Sequence, residues 1–291
     1  GAFFARPLIE VGTAQQQMRW LTPLAGERPP LTALASTEPA VGSDAAAMAT
    51  SARRTDGGYR LNGQKTWISN GGLAEYYVIF ATVDPDAGSR GVTAFVVEKG
   101  DPGVSFGEPM RKMGQRAILN TEVFLQDCEI GEDRRLGEEG KGFYSLMHTF
   151  DESRIHLAAS AVGIARAALE YAVEYSRTRE SFGKPIGMHQ AVGFRLADMA
   201  MRVDAARLLT HRAARSMDAG RHVPNEAAMA KLYASETATY VTWAALQTLG
   251  GWGYSREYPV EKWVRDARLE EIEEGTSDIQ RLIISRALLR G

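Results

Sequence analysis

The sequence predicts a multi-domain chain of α and β type: a short helical lead-in, a central all-β domain of barrel or sandwich form, and a C-terminal antiparallel four-helix bundle. Three observations carry this expectation. Short β-branched and aromatic runs alternate with turn signals from residue 31 to residue 135. No proline occurs from residue 110 to residue 184. Beyond residue 136 the apolar positions fall at helical spacing.

Residues 1–28 read as helix, with Phe3, Phe4, Leu8, Met18, Trp20 and Leu21 as its apolar groups, and they end in the breakers Gly26-Glu27-Arg28-Pro29-Pro30. In the next segment Tyr77-Val78-Ile79-Phe80 and Thr93-Ala94-Phe95-Val96-Val97 are too short for stable helices and read as strands. Turn signals stand at Asp56-Gly57-Gly58, Asn62-Gly63, Asn70-Gly71-Gly72 and Asp84-Pro85-Asp86-Ala87-Gly88. Asn62-Gly63, between Tyr59-Arg60-Leu61 and Gln64-Lys65-Thr66-Trp67, predicts a two-residue hairpin of type I′. In the C-terminal part Ile155, Ala158, Val162, Leu169 and Val173 recur along one long helix. Val192, Leu196, Met199, Val203 and Ala206 stand at steps of 4, 3, 4 and 3, with Arg195, Asp198 and Arg202 on the other face. Breaks at Phe182–Pro185, Gly220–Pro224 and Gly250–Pro259 divide this part into four or five long helices. The expected domains are therefore 1–30, 31–135 and 136–291.

Composition narrows the function. Of 291 residues, 44% are hydrophobic and 24% charged, the balance of a globular protein with a sizeable core. Lys plus Arg number 34 against 36 Asp plus Glu, so the net charge of -2 removes the electrostatic case for a nucleic-acid binder or a polybasic membrane-surface protein. No apolar run reaches the roughly 18 residues of a membrane span. Cys128 is the single cysteine, which excludes an internal disulfide framework and a Cys-based zinc site and suits a reducing compartment. The start at Gly1 carries no signal-peptide pattern. The histidines at 148, 156, 189, 211 and 222 lack metal-ligand spacing and read as surface or core residues, so no metal is expected. Gly250-Gly251-Trp252-Gly253 follows a helix rather than a strand, so it fails as a dinucleotide fingerprint.

Three segments carry more information, and each also has a plain structural reading. Thr37-Glu38-Pro39-Ala40-Val41-Gly42-Ser43-Asp44 reads alone as a polar loop with turn residues. Trp67-Ile68-Ser69-Asn70-Gly71-Gly72 puts an indole and a hydroxyl on one face of a strand, or simply a core tryptophan beside a turn. In Ile272-Glu273-Glu274-Gly275-Thr276-Ser277-Asp278-Ile279-Gln280-Arg281, Ser277 and Gln280 form a candidate capping box. Glu274 then lies just before a helix, where an acid is favoured by the helix dipole.

Their joint occurrence, with Arg179-Glu180-Ser181-Phe182-Gly183-Lys184-Pro185-Ile186, His189-Gln190, Leu246-Gln247-Thr248-Leu249-Gly250-Gly251-Trp252-Gly253-Tyr254 and Arg265-Asp266, resembles the acyl-CoA dehydrogenase family of flavoproteins, close to its medium- and short-chain members. The resemblance covers essentially the whole chain. It implies FAD between the β domain and the bundle, oxidation of the Cα–Cβ bond of an acyl-CoA to the trans-2-enoyl-CoA, and an electron-transfer flavoprotein as acceptor, as in fatty acid β-oxidation.

By this resemblance Glu274 is the base that removes the α-proton while hydride passes from the β-carbon to flavin N5. A positioned base supplies about 10²–10⁴ in rate, most effectively with its pKa moved toward working pH. Some relatives place the base at the position of Ser153, which cannot serve unassisted. The backbone N–H of Glu274 would help to polarise the thioester carbonyl. Ser36, Thr37 and Ser69 would contact the flavin ring, with Trp67 against one face. Thr276 and Ser277 would receive the cofactor at a helix N-terminus. Arg179, Phe182, Gln190, Gln247 and Gly251 would reach the FAD of a neighbouring subunit, which makes a homodimer or homotetramer part of the site. Ser43, Asp151 and Arg154 occupy substrate-contact positions.

Two departures from the family pattern stand out. Glu273 replaces an aromatic or small pocket-lining residue; it either raises the Glu274 pKa by repulsion or points to solvent. The resemblance also implies a further N-terminal helical domain of about 100 residues ahead of Gly1, of which 1–30 is a remnant. Alternatives on the same fold are an acyl-CoA oxidase or monooxygenase-like relative, or a non-catalytic scaffold subunit. The expected compartment is the bacterial cytoplasm, or the mitochondrial matrix in a eukaryote.

Overall fold

In the computed structural model residues 2–289 are described; Gly1, Arg290 and Gly291, the ends of the expected first and last domains, lie outside the described residues. The chain forms two compact units: 1–111 with 116–149, and 112–115 with 150–291.

The lead-in helices, α1 (Ala2–Val11) and α2 (Ala14–Trp20), fold into the same unit as the strands that follow. Phe4, Leu8 and Trp20 are buried in it, and Trp20 Nε1 donates to Glu98 at 3.0 Å. Thr13 opens α2 with a capping box closed by Gln16, which separates two helices where the sequence predicts one.

The strands are β1 (Thr32–Ala35), β2 (Ser51–Thr55), β3 (Gly58–Ser69), β4 (Tyr76–Thr82), β5 (Val92–Glu98), β6 (Val104–Phe106), β7 (Asn120–Gly131) and β8 (Arg135–Leu136). They form one mixed sheet in the order β6-β7-β3-β2-β4-β5-β8, with β1 parallel to β4. Tyr59, Leu61, Tyr77, Ile79, Phe95, Val97, Val123 and Leu125 share its main core. Val78 and Phe80 are buried on the opposite face, so β4 is covered on both sides.

One expectation is corrected here. Asn62-Gly63 is not a hairpin turn; it lies inside the 12-residue β3, at a register shift against β7. A Cβ on Gly63 would stand 2.7 Å from Thr50 Cα, so glycine admits the chain just ahead of β2. The Asn62 amide exchanges hydrogen bonds with Asp127 of β7, at 3.1 and 2.8 Å. The local pair thus serves a bulge, and the β2–β3 hairpin turns instead at Asp56-Gly57.

The long helices are α3 (Gly142–Thr178), whose residues from 150 onward belong to the second unit, and α4 (Gln190–Asp218), α5 (Pro224–Leu249), α6 (Val260–Glu270) and α7 (Ser277–Leu289), all within it. The buried stripe of α3 is Ala158, Ala161, Ala165, Ala168 and Ala172, facing Ala227, Ala230, Ala234 and Ala238 of α5. Of the apolar positions that recur along α3 in the sequence, Ile155, Ala158 and Val162 are buried, while Leu169 and Val173 are only partly buried. Small side chains on both helices admit close packing. Between α3 and α4 a two-stranded ribbon, β9 (Glu180–Ser181) and β10 (Lys184–Pro185), turns through Phe182 and Gly183 at positive φ.

Candidate active site

Glu274 owes its position to the way α6 ends. Leu269 O accepts from the N–H groups of Ile272 and Glu273, and Glu271 O accepts from Ser277 N–H, which closes the link to α7. Within this turn Glu274 has φ 52° and Gly275 φ 91°. A left-handed conformation at a non-glycine residue costs of order 1 kcal/mol or more and persists where the surroundings impose it. Four hydrogen bonds impose it here. Glu274 O accepts from Arg154 Nε (3.3 Å) and Gln280 Nε2 (3.2 Å), and Gly275 O accepts from Gln280 Nε2 (2.8 Å) and Lys231 Nζ (2.8 Å). The predicted capping box does not form as a consequence. Thr276 Oγ1, not Ser277, accepts from Ile279 N–H at 3.4 Å, because Gln280 is drawn to the turn carbonyls, and buried Ser277 Oγ has no partner among the described residues.

The Glu274 side chain points at α3. Ser153 Oγ donates to its Oε2 at 2.8 Å, so the alternative base position and the expected base are hydrogen-bonded to each other. Burial pushes the Glu274 carboxyl above its ordinary pKa, while the Ser153 hydroxyl and the charges of Arg154 and Lys231 restrain the rise. The Glu274 N–H has no acceptor among the described residues. Asp151 and Arg154, expected to meet substrate, are themselves buried, paired at 2.8 Å, and brace the base's turn.

Glu273 does not extend into solvent. It is half-buried, and burial together with repulsion from Glu270 and Glu274 raises its pKa to about 8. Glu270 is buried and raised to about 7, its Oε1 held by Ser160 (3.0 Å) and Gln115 (3.3 Å). Lys231 is fully buried, and desolvation lowers it to about 8. The sequence reading missed Lys231, Glu270 and Gln115. For Lys231 a signal exists: it sits on the alanine stripe of α5, three and four residues from Ala234 and Ala227, where a charge is out of pattern.

The sheet unit brings Ser36, Thr37, Trp67 and Ser69 to one place. Lys65 Nζ donates to Ser36 O (3.2 Å) and to buried Glu38 (2.7 Å), and Thr66 N–H donates to Thr37 O (2.9 Å). Trp67 is not a core tryptophan: it is 57% exposed at φ 61°, on the same exposed face as Ser69. Asn120 Nδ2 spans the two, donating to Trp67 O and Ser69 Oγ at 3.0 and 3.1 Å. Ser43 is exposed on the following loop.

In the second unit Arg179 and Gly251 line one open groove of about 570 Å³ with Tyr175, Thr248 and Trp252. Phe182, Gln190 and Gln247 are exposed but do not line it. Among the described residues no cluster of His, Cys, Asp or Glu could hold a metal ion.

The profile "Acyl-CoA dehydrogenase, middle domain" matches residues 33–128, and "Acyl-CoA dehydrogenase, C-terminal domain" matches 140–289. The chain belongs to the acyl-CoA dehydrogenase family. It is 45% identical over 286 residues to an acyl-CoA dehydrogenase of Bacillus subtilis, covering 98% of this chain and 75% of that protein. It is 43% identical over 290 residues to the mitochondrial short-chain specific acyl-CoA dehydrogenase of Mus musculus, covering 99% of this chain and 70% of that one. Butyryl-CoA dehydrogenase from Megasphaera elsdenii superposes with a TM-score of 0.97 at 44% identity, over 99% of this chain and 76% of that structure. Acyl-CoA dehydrogenases are FAD-dependent oxidoreductases, and FAD is the cofactor of this chain. Its residues fit that group: an exposed indole, Trp67, beside the exposed Ser69 on the sheet unit, and a buried hydroxyl with no partner among the described residues, Ser277 Oγ, in the first turn of α7.

Proposed function

We propose that this protein oxidises a short-chain acyl-CoA thioester to the trans-2-enoyl-CoA, with Glu274 as the base that takes the α-proton. The observation that carries this reading is the carboxyl of Glu274, fixed in a left-handed turn and hydrogen-bonded to Ser153. Its raised pKa makes it a stronger base than an exposed carboxylate, while Ser153, Arg154 and Lys231 favour its ionised form. The unpaired Glu274 N–H is a donor for the thioester carbonyl, where negative charge grows as the α-proton leaves. FAD, when bound, would supply the hydride acceptor, and an electron-transfer flavoprotein is the partner proposed to take up the electrons.

Ser36, Thr37, Trp67 and Ser69 would hold the ring system, and Thr276 and Ser277 the phosphate end. The Lys65–Glu38 pair keeps the Ser36–Thr37 backbone in place for this. Ser43 is the exposed candidate for the CoA thioester; Asp151 and Arg154 act one step removed, through the Glu274 turn. Arg179, Phe182, Gln190, Gln247 and Gly251 are outward-facing, as residues that serve a neighbouring subunit's FAD must be. Phe194, Met201 and Leu208 of α4 are 62%, 63% and 62% exposed at seven-residue spacing, an apolar stripe that supports a homodimer or homotetramer. No described helix is long and apolar enough to cross a membrane. Bacterial and mitochondrial relatives support the bacterial cytoplasm, or the matrix in a eukaryote, as the compartment.

The test is anaerobic addition of butyryl-CoA to the FAD-loaded protein, followed at the flavin absorbance band, with branched and aryl acyl-CoAs beside it. Bleaching with stoichiometric trans-2-enoyl-CoA is the expected result. No bleaching by any acyl-CoA overturns the reading, and rapid reoxidation of the bleached flavin by air replaces dehydrogenase with oxidase.

A further inference from the structure

The turn that carries Glu274 holds four acids within five residues; Glu271 is paired with Arg268 at 2.8 Å, and the other three are Glu270, Glu273 and Glu274. Glu270 is buried and Glu273 and Glu274 are half-buried, and a buried carboxyl without a cation near it stays protonated. A protonated Glu274 cannot accept the α-proton. The cation of α3 cannot serve all three acids, since Arg154 is already paired with Asp151 at 2.8 Å. Glu270 leaves Oε2 without a hydrogen-bond donor among the described residues, so this acid too is short of neutralising partners.

We propose that Lys231 is a positioning residue for Glu274, its ammonium both pinning the Gly275 carbonyl and supplying the positive charge that the three neighbouring carboxyls share. The inference rests on the reading of Glu274 as base. The geometry is specific. Lys231 projects from the alanine stripe of α5, is 0% exposed, and reaches Gly275 O at 2.8 Å. Gln280 shares that carbonyl, but its amide is neutral and adds no charge. A Cβ on Gly275 would lie 2.8 Å from Gln280 Nε2, so the clamp closes on a glycine with no room to spare.

The groups facing Lys231 are Glu273, Glu270 and Glu274 from the turn and the end of α6, and Arg154 from α3. Those facing Glu274 are Ser153 and Arg154 from α3 and Lys231 from α5, with Glu273 adjacent in the chain. Lys112 also faces Glu273. Lys231 is thus the side chain common to all three acids. Loss of its charge raises the pKa of each of them, and loss of its hydrogen bond loosens the turn. The two effects differ in their readouts, since the first moves a pH profile and the second lowers the plateau.

The experiment is the pH dependence of anaerobic flavin bleaching by butyryl-CoA, with FAD content measured alongside, in the parent, Lys231→Met, Glu270→Gln, the double variant and Glu274→Gln. Lys231→Met is expected to keep its FAD and to move the acid limb up by about one pH unit. Its plateau falls at least about tenfold, the scale of a misplaced catalytic group. Removing Glu270 together with Lys231 restores the charge balance and returns the limb toward that of the parent. Glu270→Gln alone moves the limb down, and it is the deciding variant if Lys231→Met fails to retain FAD. An acid limb unmoved in FAD-loaded Lys231→Met, or in Glu270→Gln, overturns the proposal. Failure of the base assignment is separately visible, since Glu274→Gln would then bleach at the parental rate.

Discussion

Replacing Ser153 with alanine isolates one hydrogen bond at the base. Ser153 is fully buried, and its hydroxyl has a single proton, which is in reach of Glu274 Oε2 at 2.8 Å and of Phe150 O at 3.1 Å. A hydrogen bond to an ionised group contributes about 1.5–3 kcal/mol. Division of the proton between two acceptors puts the value at the lower end, about 1.5 kcal/mol. With one pKa unit worth about 1.36 kcal/mol, Ser153→Ala raises the Glu274 pKa by about one unit. The sign follows from the donor: Ser153 stabilises the carboxylate, so its loss favours the protonated acid. Below the shifted pKa the ionised fraction falls, and bleaching by butyryl-CoA slows by up to about tenfold at fixed pH. At high pH the two proteins converge, because Glu274 is then ionised in both. Stopped-flow bleaching across pH measures the limb directly. Superimposable profiles for the two proteins would refute the assignment of Ser153 as the donor that tunes this carboxyl.

Two further outcomes follow from buried charge. Lys65→Met leaves Glu38, 5% exposed, without its cation. Breaking such a pair costs about 3–5 kcal/mol, so urea unfolding should show that loss, and the Glu38→Gln/Lys65→Met double variant should recover part of it. Glu273 carries a folded-state pKa of about 8, above its unfolded value, so folding favours its protonated form and stability falls as pH rises from about 4.3 to 8. Glu273→Gln removes that penalty. Its melting temperature should exceed the parent's by roughly 7 °C at pH 8 and match it at pH 4, as differential scanning calorimetry can check.

Much of this architecture was legible because the signals were local and repeated. The strands of Tyr77–Phe80 and Thr93–Val97 and the helix of Val192–Ala206 follow directly from side-chain spacing. The failures share a cause in tertiary partners. Asn62-Gly63 has the composition of a hairpin turn, yet Thr50 and Asp127, distant in sequence, convert it into a bulge. The parallel pairing of β1 with β4 leaves no mark in either strand. At the active site the Glu-Gly-Thr loop was visible, and so was Ser153 as a position. Their hydrogen bond was not, because 121 residues separate the two. Trp67 was ambiguous between core and surface until the left-handed backbone at that residue turned its indole outward. Lys231 was marked only by its place on the alanine stripe of α5, against the ordinary preference of a helical lysine for water.

The central claim is that the carboxyl of Glu274 receives the α-proton. Glu274→Gln preserves shape and the hydrogen bond from Ser153 while removing the basic oxygen pair. With FAD bound and substrate saturating, this variant should bleach its flavin at least about 10³-fold more slowly than the parent, within the range a positioned base supplies. Bleaching at the parental rate would contradict the account.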